Sequence, residues 1–371
     1  MVLGLHSLLG LEHAMYCEIK PEARKVLENL QEKGMLPRAP ICSDIRLLDV
    51  PAGQPIAICY ASVPCQGVSV IGHRNGHRSG LDHRQTGLYS ELLRILTTAR
   101  PPLVFLENVS AICTDSILPH IAKTLSDIGY NMTYVCLPAW AVGARHNRKR
   151  WYALCWQDDM EGTPLEYDAP DPATMHNFDA EPFPRMIPGG VEKHPFNARR
   201  SAMLGNSVVP QVVNLAFRLL WAGMNASIDD VQTNPTLLTL RKPDASVVTA
   251  PGIASKLAGF VPSRSGGVIH SLRPPKLPDV PDFRIVLRPG AVPEVHNSKA
   301  PLFEEHAKRL WATPRHAALY PNRLLSKRTT RDLPSQLRFE ARTPDADRGG
   351  APNVHFIEHM MGFPHDWTAL T

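Results

Sequence analysis

In VPCQGVSV (63–70) a cysteine follows an apolar run and a proline, so Cys65 stands at a strand end, where a thiol of lowered pKa becomes a nucleophile. The same position suits a small buried hydrophobe, and a bare strand-end cysteine more often plays that part. The second group is the carboxylate of FLENV (105–109). A glutamate is seldom buried without a partner, so Glu107 either makes a salt bridge or contacts a substrate. The third is RHNRKRWYAL (145–154), where alternation along an extended chain puts Arg148 and Arg150 on one face. Two guanidiniums so placed could grip a phosphate, a base edge or Glu107; otherwise they form a solvated face.

Such groups need a scaffold that brings distant fragments to one edge. PIAICYASV (55–63) and PPLVFLENV (101–109) are continuous apolar runs of buried-strand length, separated by the helical pattern TGLYSELLRILTTAR (86–100). PEARKVLENLQEK (21–33) opens with a proline at the first helical position and spaces Ala23, Val26, Leu27 and Leu30 on one face. A helix at 117–130, a strand at 132–139 and a strand at 151–156 close the series. This alternation predicts a parallel α/β sheet with crossover helices. Ligands of such sheets lie beyond the carboxyl ends of the strands, which here means Glu18, Asp44, Pro64 to Gln66, and Glu107 with Asn108.

The 371 residues are 43% hydrophobic and 20% charged, with no apolar stretch long enough to span a bilayer and no signal-peptide pattern at the start. Seven cysteines without framework spacing point to reduced thiols and an intracellular protein, in a bacterial cytoplasm or in the cytoplasm or nucleus of a host. Charge is uneven. Residues 1–230 hold 21 Lys and Arg against 23 Asp and Glu, whereas residues 231–371 hold 19 against 12. A basic segment beside a neutral one is a footprint of polyanion binding joined to a catalytic unit. The pattern divides the chain into a core at 1–157, a Pro-rich connection at 158–195, a helical return at 196–224, and a loop-rich basic region at 225–371.

In order and spacing, PCQ, ENV and HNRKR resemble the signature of the C5-cytosine DNA methyltransferases. CEIKPEA (17–23), SDI (43–45), GLYSELLRIL (87–96), MLGNSVVP (203–210) and HMMGFPHDW (359–367) extend the resemblance. It implies a Rossmann-like class I methyltransferase sheet with a C-terminal target-recognition domain. The enzyme expected is a methyltransferase that moves a methyl group from S-adenosylmethionine to C5 of a cytosine flipped out of duplex DNA. Placing the Gly-Asn motif ahead of the basic region resembles some phage and large-virus members. The family's opening glycine motif, Asp-x-Phe-x-Gly-x-Gly, is expected to be incomplete, because Met1 to Leu5 align after most of it. His146 stands where the family has Gln.

By the same resemblance Cys65 adds to cytosine C6 as a thiolate, and Glu107 contacts N3 and the exocyclic amine, sharing or holding a proton. Arg148 orients the base through its carbonyl oxygen, and Arg150 braces the site. Glu18 and Ile19 would hold the ribose and adenine of the cofactor, Asp44 and Ile45 the adenine edge, and Pro64, Leu88, Asn206 and Ser207 the rest. Gln66, Ser69, Arg74 and Arg78 would face DNA. His73, His77 and His83 sit in that Gly- and Arg-rich loop without a cysteine or carboxylate ligand set, so no metal is expected there. The basic clusters KRLWATPRH (308–316) and NRLLSKRTTRD (322–332) suit phosphate contacts. The partners expected are double-stranded DNA and a cognate restriction endonuclease, with the chain a monomer and no membrane contact. Two other readings stay open: an inactive DNA-binding homologue, and a methyltransferase acting on RNA cytosine.

Overall fold

The computed structural model describes residues 1–50, 55–63, 88–113, 117–157, 171–187 apart from 173 and 181, 195–225, 239–241, 247–249 and 351–370. The expected catalytic loop with Pro64, Cys65, Gln66, Ser69, Arg74 and Arg78, the histidines at 73, 77 and 83, and the basic clusters near 308–332 lie outside the described residues.

The centre is a four-stranded sheet of β3 (Ile58–Ala61), β4 (Leu103–Val109), β5 (Asn131–Leu137) and β6 (Arg150–Trp156), in the order β3-β4-β6-β5. Residues of β4, β5 and β6 alternate strictly between its two faces, as the period of two demands. Phe105, Val135, Leu137, Tyr152 and Leu154 enter one core, shared with α1 (Val2–Leu9), α2 (Pro21–Glu32), α5 (Pro195–Asn206), α6 (Pro210–Asn225) and α7 (Val354–Met360). Val104, Leu106, Tyr134, Cys136, Trp151 and Ala153 enter the other, against α3 (Leu88–Ala99) and α4 (Ile117–Asp127). Burial on both faces is why these strands are continuous apolar runs.

The sheet is mixed, which corrects the parallel arrangement read from the sequence. β3 and β4 run parallel, but β6 is antiparallel to both β4 and β5. The connection from β5 to β6 holds one short 3-10 turn (Ala139–Ala141) in place of a crossover helix, so the chain doubles back and inserts between two strands already parallel to each other.

A second, parallel pair, β1 (Tyr16–Cys17) with β2 (Ile41–Cys42), is not hydrogen-bonded to β3. Rings stand at this junction. His13 stacks on Tyr16 at 4.8 Å and meets Tyr60 of β3 edge-on at 5.8 Å. Two further short pairings complete the strands among the described residues: β7 (Met186–Ile187) with β10 (Ala351–Pro352), and β8 (Thr239–Arg241) with β9 (Val247–Thr249).

α1 packs closely on α6. A Cβ at Gly4 would collide with the Pro210 carbonyl oxygen, so glycine is what lets the helices approach. Residues 351–370, grouped with the basic region by the sequence, return to the main core. Val354, Phe356, Ile357, Met360, Met361 and Phe363 are buried with Leu5, Val213 and Phe217. The reason is local: Phe356, Ile357, Met360 and Met361 recur with helical spacing and form one apolar face.

Candidate active site

Four fragments far apart in sequence meet at the carboxyl ends of β3 and β4. Glu107, third from the end of β4, is only 6% exposed. Arg150 opens β6 on the same face, and its Nε lies 3.2 Å from Glu107 Oε1. The other Glu107 oxygen accepts a short hydrogen bond from the Ser62 hydroxyl. Asn108 Nδ2 donates to the Val63 carbonyl over 3.0 Å, tying the residue before Pro64 to the end of β4. Arg148, 4% exposed, donates to the carbonyl of Gly205 over 3.0 Å, which brings the late Gly-Asn segment to the same edge.

Of the three alternatives for the arginine pair, Arg150 thus makes the carboxylate contact, while Arg148 holds backbone. His146 is fully buried beside them. Burial, then the Arg148 guanidinium, pushes its imidazole down to about 3, so the ring is neutral at working pH. Asn206, the last residue of α5, is exposed, and Ser207 folds back so that its hydroxyl donates to Leu204 O over 2.9 Å.

The residues expected to hold a cofactor sit at the carboxyl ends of β1 and β2. Glu18 N donates to Cys42 O over 3.0 Å, so Glu18 follows directly on the parallel pairing, with Asp44 just beyond β2. The Glu18 carboxylate accepts from Lys20 N over 2.8 Å. Asp44 caps the turn Ile45–Leu47 by accepting from Arg46 N and pairs with the Arg46 guanidinium at 2.5 Å. Those bonds hold its carboxyl down at about 2. Ile19 is 57% exposed and Leu47 75% exposed beside these carboxylates. Such exposed apolar surface next to hydrogen-bond acceptors fits an adenosine group, whose ring wants apolar contact and whose ribose donates.

Sequence reasoning missed three supporting residues. Ser62 carries no motif, and its only signal is a hydroxyl one residue past the half-buried strand β3. Arg94 of α3 donates to Ile45 O at 3.1 Å and Leu48 O at 3.0 Å, fixing the turn that carries Asp44. Arg200 of α5 reaches Glu358 of α7 at 2.9 Å. Leu88, expected at the cofactor, opens α3 and is partly buried.

Residues 1–184 match the family described as C-5 cytosine-specific DNA methylase. The type II methyltransferase M.CviJI of Paramecium bursaria Chlorella virus IL3A is 28% identical over 91% of this chain and 88% of its own length. M.MspI of a Moraxella species is 35% identical over 27% of this chain, and M.HhaI of Haemophilus parahaemolyticus 25% identical over 44%. The chain spans only 24% of M.MspI and 48% of M.HhaI. The S. pombe Dnmt2 methyltransferase structure covers 51% of this chain at a TM-score of 0.32 and 18% identity, too distant to bear on the argument. The match places residues 1–184, which carry the buried Glu107–Arg150 pair and the held strand end beside it, in the C-5 cytosine-specific DNA methylase family.

Proposed function

We propose that this chain transfers a methyl group from S-adenosylmethionine to C5 of cytosine in duplex DNA, through a covalent adduct at Cys65. The observation that carries the reading is the convergence of Glu107, Arg150, Arg148 and the Val63 carbonyl on one sheet edge. Cys65 follows Val63 by two residues, so the asparagine that anchors Val63 also sets where the thiol-bearing loop leaves the sheet.

Cytosine C5 is a weak nucleophile. Addition of the Cys65 thiolate to C6 forms a C–S bond and pushes the ring electrons toward C5 and N3. Glu107 meets the charge developing at N3 and the exocyclic amine, and a fixed partner there is worth more than water because it needs no reorganisation. Arg150, by holding Glu107 on one oxygen, leaves the carboxyl oriented for the base. Arg148 is placed to receive the base carbonyl oxygen. Glu18 would accept from the ribose of the cofactor, Asp44 would read its adenine edge and Ile19 would cover the ring, and the cofactor when bound would supply an electrophilic methyl group. After methyl transfer, loss of the C5 proton and expulsion of the Cys65 thiolate restore the aromatic ring. Attack from both faces requires the base to leave the stack, with Gln66 filling the gap and Ser69, Arg74 and Arg78 on the DNA backbone.

The test is a covalent trap. Full-length protein, S-adenosylmethionine and duplex DNA carrying 5-fluorocytosine in place of the target cytosine are run on a denaturing gel beside Cys65→Ala. Fluorine cannot leave as the proton does, so a cysteine-dependent shifted band is the expected result. DNA binding with no band points to the inactive homologue, and trapping on an RNA substrate in preference to duplex DNA replaces the substrate assignment.

A further inference from the structure

At the end of the chain, two imidazoles and a carboxylate from one short segment face each other. His355 on α7 and His365 beyond it stack with ring centroids 4.3 Å apart and planes tilted by 22°. Both turn Nδ1 toward Asp366. His365 Nδ1 lies 3.1 Å from Asp366 Oδ2, and His355 Nδ1 lies 3.6 Å from Oδ1. One ligand atom from each of the three residues falls within 4.8 Å of the others. His355 Nδ1 is shielded from solvent and makes no hydrogen bond, although Glu358 Oε2 is 3.4 Å away.

Charge at this spot is unbalanced. Glu358 is fully buried and Asp366 is half-buried, and among the described residues the one guanidinium reaching them is that of Arg200, 2.9 Å from Glu358 and 3.1 Å from Asp366. Among these residues two carboxylates face one fixed cation, which leaves one negative charge beside two imidazoles. The Glu358 oxygens are occupied by Arg200, Thr368 N and Oγ1, and Asp366 N, so that carboxylate is committed to the fold. Asp366 itself has a left-handed backbone, φ 59°, a conformation in which Asp is enriched but which other side chains seldom adopt. Its conformation turns the carboxylate back toward both histidines. Phe183 stacks on His365 at 5.1 Å and covers the ring on one side.

We propose that His355 Nδ1, His365 Nδ1 and the Asp366 carboxylate bind one zinc ion. Two neutral imidazoles and a carboxylate are a zinc donor set, and metal–ligand distances of about 2.0–2.1 Å place tetrahedral donors about 3.4 Å apart. Each imidazole nitrogen already lies near that spacing from one carboxylate oxygen, His365 Nδ1 at 3.1 Å from Oδ2 and His355 Nδ1 at 3.6 Å from Oδ1, and one atom from each of the three residues falls within 4.8 Å of the others, so small side-chain rotations bring them onto one ion. Water completes the coordination on the exposed side of His365. The ion pins the turn after α7 to the helix itself, above the buried contact of Arg200 of α5 with Glu358 of α7, so its role is to fasten the C-terminal segment to the core. This inference does not depend on the methyl-transfer reading.

Untagged full-length protein, stripped with chelator, is titrated with zinc chloride and with magnesium chloride by calorimetry, and its melting temperature is followed in parallel. Zinc at a hundredfold excess over its dissociation constant is expected to raise the melting temperature by about 5 °C or more, with one ion bound, while magnesium, which prefers oxygen ligands, has no effect. His365→Ala, at a solvent-facing position, should fold and lose both the binding and the shift, and Asp366→Asn should weaken binding at least tenfold. A variant with His73, His77 and His83 replaced by Ala keeps the site. The proposal is overturned if wild-type protein shows no zinc-specific shift, or if His365→Ala binds zinc as wild type does.

Discussion

Glu107 and Glu18 both stand at carboxyl ends of parallel strands, yet the molecule holds them in different ways. Glu107 belongs to a seven-residue strand covered on both faces, and its partners Arg150 and Ser62 come from two other strand ends. Glu18 follows a two-residue strand and is bonded to the backbone two residues on. Asp44 repeats that local pattern with Arg46. The base-handling edge is therefore fixed by tertiary packing, whereas the cofactor edge is shaped by short-range hydrogen bonds on an open surface. Damage to the first should show as lost stability, and damage to the second as lost affinity.

The sharpest way to break this contrast is Arg150→Leu, which strands a buried carboxylate. A loss of about 3–5 kcal/mol in urea unfolding is expected, and the double change with Glu107→Leu should recover most of it. If the single change costs nothing, Glu107 is not held by packing.

Next in size is a pH effect. The folded His146 imidazole stays neutral down to about 3, whereas in the unfolded chain it takes up a proton below its ordinary value of 6.5. Its stabilising share is complete above 6.5 and is lost as pH falls from there toward 3. About 2 kcal/mol should disappear between pH 8 and pH 5. His176, lowered to about 4 by burial and by His359, acts in the same direction. His146→Gln should flatten the acid side of the stability curve without abolishing it, as denaturant titrations at several pH values would reveal.

Asn108→Ala removes the bond to Val63 O and the one accepted from Val109 N and should cost about 1–2 kcal/mol, with a larger fall in 5-fluorocytosine trapping because the strand end before Cys65 is loosened. Asp44→Ala marks the other extreme. The urea midpoint should not move, while S-adenosylmethionine binding by calorimetry weakens at least tenfold. A shifted midpoint there would erase the distinction between the two edges.

What could be read from the sequence follows the same division. β4, β5 and β6 were recognisable within two residues, because a strand buried on both faces is an uninterrupted apolar run. The direction of β6 was not recognisable, since an apolar run has no polarity and only the lack of a helix between 138 and 149 hinted at a return. Glu107 and Arg150 stood out as charged residues at the ends of apolar runs, and their juxtaposition was one of several arrangements the alternation allowed. β1 and β2, two residues each, lacked a run, so Glu18 and Asp44 drew their roles from the family resemblance. Ser62, Arg94 and Arg200 act through contacts across the fold, which no local pattern encodes. The apolar face of α7 was present in HFIEHMM but was submerged in a basic, Pro-rich surrounding.

The return of residues 354–367 to the core also sets a timetable for synthesis. Val212, Val213 and Phe217 leave the ribosome well before the residues of α7 that share their core. At about 5–20 residues per second the intervening segment takes on the order of ten seconds to emerge. During that interval the nascent chain carries an apolar surface not yet met by α7, and its exposure to chaperones is governed by the speed of translation up to residue 354. Slowing codons between 225 and 350 would lengthen this exposure, and co-expressed chaperone would raise yield most for those slowed versions.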